Sequence, residues 1–262
     1  MAVLGFVVLT FAASWTLFAT GAALSSGADP GGNPVFLLGV FAPSLVALGL
    51  TAWSEGRDGT RALLGRVVRA PSGARWYVFA ITYMAAIKLT TALIHRIVMG
   101  AWPAFGPQPV YLMALAIVVS TPVQAGEEIG WRGYALPRLA KGVGLPAASI
   151  VVGIIWATWH LPLFFIAGTD KTGQSFPVYL LAVTALSVAM AFLYWRTHGS
   201  VLMTMLMHAS ANNTTILVPA AMPGATDVFA VNTTVPGWIS LSLMWACAIY
   251  FLVRMRAATL PP

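Results

Sequence analysis

The chain has 262 residues, of which 59% are hydrophobic and only 8% charged, against roughly 25% charged in an ordinary soluble domain. So few charges cannot cover a soluble surface, and a disordered chain needs the opposite balance. The net charge of +7 comes from a shortage of Asp and Glu, 7 against 14 Lys and Arg, so the expected surroundings are a lipid bilayer and not nucleic acid.

Apolar segments of spanning length recur near residues 3–24, 35–53, 76–99, 110–139, 146–167, 176–195, 199–218 and 237–254. The first lacks the positive n-region of a signal peptide and reads as a retained helix. The connection 54–75 carries Arg57, Arg61, Arg66, Arg69 and Arg75; its stretch 60–69 reads either as a short interfacial helix or as a solvated loop. The segment 110–139 is longer than one span needs, so 124–140 is expected to emerge from the bilayer. The runs are continuous and lack the alternation of a barrel. The expected fold is an all-α, polytopic transmembrane bundle of about eight helices, one integral membrane domain over 1–262. Cys247 is the one cysteine, which excludes an internal disulfide and a Cys-rich metal site, and it reads as a small buried hydrophobe.

Lys and Arg fix the orientation. Placing 54–75 in the cytoplasm also puts Arg132, Arg138, Lys141, Arg196, Arg254 and Arg256 there, and leaves Arg96 and Lys171 opposite, with Lys88 inside a span. Both termini then face the cytoplasm. The Arg-over-Lys, Ala/Gly/Trp-rich composition reads as bacterial, hence a multi-pass plasma-membrane protein.

A charge at the bilayer centre costs at least ~2.5–3.5 kcal/mol, so polar groups held there call for a function. They are Lys88, Glu127, Glu128, Arg132, His160, His208, Asn212 and Asn213. Successive helical residues turn about 100°, so Glu128 and Arg132 share a face and can pair, while Glu127 points away and is left without a partner. Gly126, Gly130 and Gly133 let neighbouring helices come close. His160 follows Trp156 by one turn, and Asn212 follows His208 by one turn. The bland alternative is a set of polar pairs gluing helices together. Lys88 pairs with an acid across the bundle or snorkels. His95 and His198 read as interfacial.

Three motifs stand in order: Glu127-Glu128-Ile129-Gly130-Trp131-Arg132, then Trp156 to His160, then His208 to Asn212. They resemble the EExxxR, FxxxH and HxxxN motifs of the CPBP family of intramembrane proteases, the CaaX protease, bacteriocin-processing and abortive-infection family that includes the Rce-type CaaX endopeptidases. The resemblance covers about residues 110–218, with Trp156 where the family usually has Phe. It implies that Glu127 activates a water, and that His160 and His208 position that water or bind a metal. Asn212 would stabilise the oxyanion, and Glu128 with Arg132 would hold the helix. Glu127, His160 and His208 could form a three-ligand site for one divalent metal such as zinc; a metal-free hydrolysis uses the same residues, and the sequence leaves both open.

The expected function is an intramembrane endopeptidase acting on a membrane-associated or lipidated protein or peptide, with its site open to the cytoplasm. A transporter or proton-coupled carrier also uses intramembrane carboxylates and histidines, but should show inverted repeats, and none is visible. A member acting as an immunity protein or scaffold is the third reading.

Overall fold

A computed structural model describes residues 2–25, 29–214, 217–218 and 227–258. The end of the expected 199–218 span lies partly outside these described residues. All regular structure among them is helical: α1 Ala2–Leu24, α2 Pro34–Val67, α3 Ala74–Met99, α4 Val110–Ser120, α5 Ala125–Glu128, a π-helical stretch Ile129–Ala135, α6 Leu136–Trp159, α7 Phe176–Arg196, α8 Val201–Asn213 and α9 Val235–Arg254. Six described helical stretches are long and apolar enough to cross a membrane, and the protein is an integral membrane protein. Leu4, Leu38, Ile97, Val118 and Ile249 are all more than half exposed, as lipid-facing side chains of such a bundle should be.

Local chemistry sets the helix ends. Asn33 accepts from the Val35 N–H at 2.9 Å ahead of Pro34, and Ser200 accepts from Met203 at 3.2 Å. Thr234 accepts from Gly237 at 3.1 Å ahead of Pro236. These are side-chain N-caps, two of them followed by a proline that needs no N–H partner. Glycines at positive φ break two long helices: Gly56 (φ 64°) inside α2 and Gly144 (φ 77°) inside α6. Beyond Gly56, residues 57–67 are helical, which decides between the two readings of 60–69 in favour of a helix.

The bundle has two unlike ends. At the arginine end, Arg66 donates to the Gly133 carbonyl at 3.2 Å and to the Tyr194 hydroxyl at 3.3 Å. Arg138 pairs with Glu55, Arg69 donates to the His198 carbonyl, and Arg196 lies over Trp76 at 5.4 Å. At the opposite end, the Phe176 N–H bonds the Val228 carbonyl at 2.8 Å and the Ser175 hydroxyl bonds the Ala230 carbonyl at 2.6 Å, tying the two connections together.

The fourth expected segment is divided in the structure: α4 ends at Ser120, every residue from Gly126 to Pro137 is buried in protein, and exposure begins at Lys141. This buried stretch packs closely against α2. A Cβ on Gly130 would come within 2.6 Å of the Pro43 carbonyl oxygen, and one on Gly133 within 2.8 Å of Leu63. Gly130→Ala should therefore destabilise the protein by about 1–3 kcal/mol through overpacking, read as a lower thermal midpoint in detergent. Gly142→Ala, where nothing lies within 4 Å of the added carbon, is the control and should leave the midpoint within experimental scatter.

Candidate active site

Glu127 and Glu128 end α5, Arg132 lies in the π-helical stretch, His160 caps α6, and His208 and Asn212 belong to α8. Four elements thus bring five of the six residues into two hydrogen-bonded groups that meet at Trp156.

The first group is built on Glu128. Arg132 donates from Nη1 to Glu128 Oε1 at 2.8 Å, with both side chains fully buried. His208 Nδ1 lies 3.0 Å from the same oxygen. An ionised carboxylate only accepts, so Nδ1 carries the proton and Nε2 presents its lone pair. The expected Glu128–Arg132 pair is present, while His208 is held by Glu128 and not by Glu127.

The second group is built on Trp156. Its indole Nε1 donates to Glu127 Oε2 at 2.6 Å, so Glu127 has a partner, contrary to the expectation from the helical angles. Its carbonyl faces His160 Nδ1 at 2.9 Å. A carbonyl also only accepts, so His160 too turns a bare Nε2 outward. The Arg132 guanidinium lies 4.1 Å from the Trp156 ring centroid, a cation–π contact, and the His208 ring meets Trp156 edge-on at 5.0 Å. Trp156 thereby touches Glu127, Arg132, His160 and His208. The clue in the sequence was the departure from Phe: an indole brings an N–H that must be satisfied when buried.

Further aromatic rings fix His160. Trp159 packs at 4.6 Å and Tyr179 of α7 at 5.4 Å between ring centroids, and Trp15 of α1 donates to the Trp159 carbonyl at 3.0 Å. Trp15, Trp159 and Tyr179 were not singled out from the sequence, because ring contacts between helices leave no local pattern. Asn212 occupies the last turn of α8, one turn beyond His208, and is exposed. Lys88 is buried at 6% exposure and forms no ion pair among the described residues, so the expected acid partner across the bundle is not there.

Among the described residues, no group of three or more His, Cys, Asp or Glu side chains is arranged to hold a metal ion. Glu127, His160 and His208 are drawn together through Trp156 but are not arranged as a three-ligand zinc set.

Residues 107–214 match the family described as Type II CAAX prenyl endopeptidase Rce1-like. Over 220 residues the chain is 24% identical to CAAX prenyl protease 2 of Methanococcus maripaludis, an alignment covering 78% of this chain and 80% of that one. The matched segment contains Glu127, Glu128, Arg132, Trp156, His160, His208 and Asn212. The site therefore lies within the segment, residues 107–214, that is similar to the Rce1-like family.

Proposed function

We propose that the protein is an intramembrane endopeptidase that cuts a membrane-associated polypeptide, of the lipid-modified kind named for its relatives, by glutamate-activated water. The observation that carries this reading is the Glu127 carboxylate. One oxygen is held by Trp156, and among the described residues no group donates to the other.

Oε1 of Glu127 takes a proton from a water as the water oxygen attacks the scissile carbonyl carbon. The bare Nε2 atoms of His160 and His208 accept from that water or from the substrate amide and fix their orientation. The Asn212 amide donates to the oxyanion of the tetrahedral intermediate, an interaction worth about 2.7–4 kcal/mol in kcat at comparable sites. The proton held by Glu127 then passes to the departing amide nitrogen, the C–N bond breaks, and the carboxylate is regenerated. Glu128 and Arg132 touch neither substrate nor water; they hold His208 and the Trp156 ring in place.

The test is cleavage of a lipid-anchored peptide by the purified protein in liposomes made up in H₂¹⁸O. Each new C-terminus should gain one ¹⁸O, seen by mass spectrometry. Solute flux across the liposome with the peptide intact would overturn the proposal in favour of a carrier.

A further inference from the structure

Beyond Gly56, the second half of α2 is a short helix with two unlike faces. Gly59, Thr60, Leu63, Arg66 and Val67 lie along one of them and are buried or half-buried. That face is fastened to the stretch that carries Arg132. Leu63 lies against Gly133, and Arg66 donates to the Gly133 carbonyl and to the Tyr194 hydroxyl. The other face carries Arg57, Arg61, Leu64 and Val68, whose spacing sets them within about 60° of one another around a helix. All four are exposed, Leu64 at 44% and Val68 at 77%.

Among the described residues nothing in the protein pairs with this outer face. Arg57 and Arg61 form no ion pair there, Glu55 is taken by Arg138, and Asp58 forms none either. A guanidinium is a rigid fork of donors that matches the oxygens of a phosphate, while Leu64 and Val68 in the same row call for an apolar neighbour. An acidic protein surface would satisfy the arginines alone, and a hydrocarbon the aliphatic side chains alone. An anionic phospholipid supplies both in one molecule. The surroundings are those of a headgroup layer. Trp53, at the end of the spanning half of α2, is 86% exposed, as an indole at a membrane interface is. Arg75 and Arg196 lie over Trp76 at 4.8 and 5.4 Å, and Arg254 over Tyr250 at 5.8 Å. Around them this end carries ten basic residues against Glu55 and Asp58, an excess that attracts anionic headgroups.

We infer that the outer face of this helix is a binding surface for anionic phospholipid, with Arg57 and Arg61 holding phosphates and Leu64 and Val68 lying against acyl chains. The inner face is bonded to Gly133, the neighbour of Arg132, so a lipid held outside fastens the helix onto the stretch that builds the site. Because the surface exists only in the folded chain, its lipid stabilises the fold by mass action. The inference does not rest on the endopeptidase reading.

The purified protein in neutral detergent is titrated with phosphatidylglycerol, phosphatidylcholine or soluble glycerol 3-phosphate. Bound lipid is counted by native mass spectrometry, and the thermal midpoint is followed on the same samples. Phosphatidylglycerol should bind and raise the midpoint, and the other two should not. Arg57→Gln with Arg61→Gln should weaken phosphatidylglycerol binding about 30-fold, at about fivefold per arginine. Its lipid-free midpoint should be unchanged, because both side chains are exposed and unpaired. Arg254→Gln with Arg256→Gln removes two charges elsewhere on the same end and should keep the native affinity. Affinity within threefold of native in the Arg57 and Arg61 variant, or an equal loss in the Arg254 and Arg256 variant, overturns the inference. So does equal binding of phosphatidylcholine, or an equal midpoint shift with glycerol 3-phosphate. None of these readouts depends on hydrolysis, so an inactive protein would overturn the endopeptidase reading and leave the lipid surface standing.

Discussion

Glu127→Gln is expected to lower kcat by about 10²- to 10⁴-fold, the range a positioned general base supplies, while leaving the fold intact. The glutamine carbonyl can still accept the Trp156 indole N–H, which sits 2.6 Å from Oε2 in the native site, so the aromatic frame around His160 and Arg132 keeps its support. The loss is chemical: an amide oxygen cannot take the proton of the attacking water. The measurement is single-turnover cleavage of a lipid-anchored peptide, with the thermal midpoint recorded on the same preparation. Retention of activity within tenfold at an unchanged midpoint would remove Glu127 from the mechanism. Trp156→Phe is the companion variant, keeping the ring beneath Arg132 but deleting the N–H. It should lose about 1.5–3 kcal/mol of stability, the usual worth of a hydrogen bond to a charged group, and still turn over substrate.

The second large effect is on folding. Arg132→Leu leaves the fully buried Glu128 carboxylate with His208 as its remaining partner, and breaking a buried pair from one side costs about 3–5 kcal/mol. The pair is already incompletely compensated, since Arg132 Nε and Nη2 and Glu128 Oε2 have no hydrogen-bond partner among the described residues. The double variant Arg132→Leu with Glu128→Leu should therefore be more stable than Arg132→Leu alone, because no charge is left stranded. It should nevertheless be inactive, because His208 loses the acceptor that fixes its tautomer. Denaturant titration of the three proteins in detergent, paired with activity, separates these effects. A double variant less stable than the single one would show that the pair contributes net stability.

Spans, helical class and the pairing of Glu128 with Arg132 were legible because each depends on a local property: continuous apolar length, or a spacing of four residues. Close approach at Gly130 was legible for the same reason, as a small residue beside charge. The partners of Glu127 and His208 were not, because they are set by how α5, α6 and α8 meet, and an angle around a single helix says nothing of a neighbour's indole. Which half of α7 is packed was hidden too: Phe176 to Ala182 look as apolar in sequence as Val183 to Ala191, although only the second set is buried.

The π-helical stretch Ile129–Ala135 carries the glutamates on one side and α6 on the other. A π-helix closes its hydrogen bonds over one more residue than an α-helix does, so it amounts to a surplus residue lodged in an otherwise regular rod. Removing one residue between Gly130 and Tyr134 would let the rod relax to ordinary pitch. The parts on either side would stay nearly in phase, because a π-bulge absorbs its surplus residue without turning the rod as a whole. The deletion would instead remove the wide turn between Glu128 and Leu136 that seats Gly130, Arg132 and Gly133 in the protein interior, so that stretch holds its buried side chains by a count of residues.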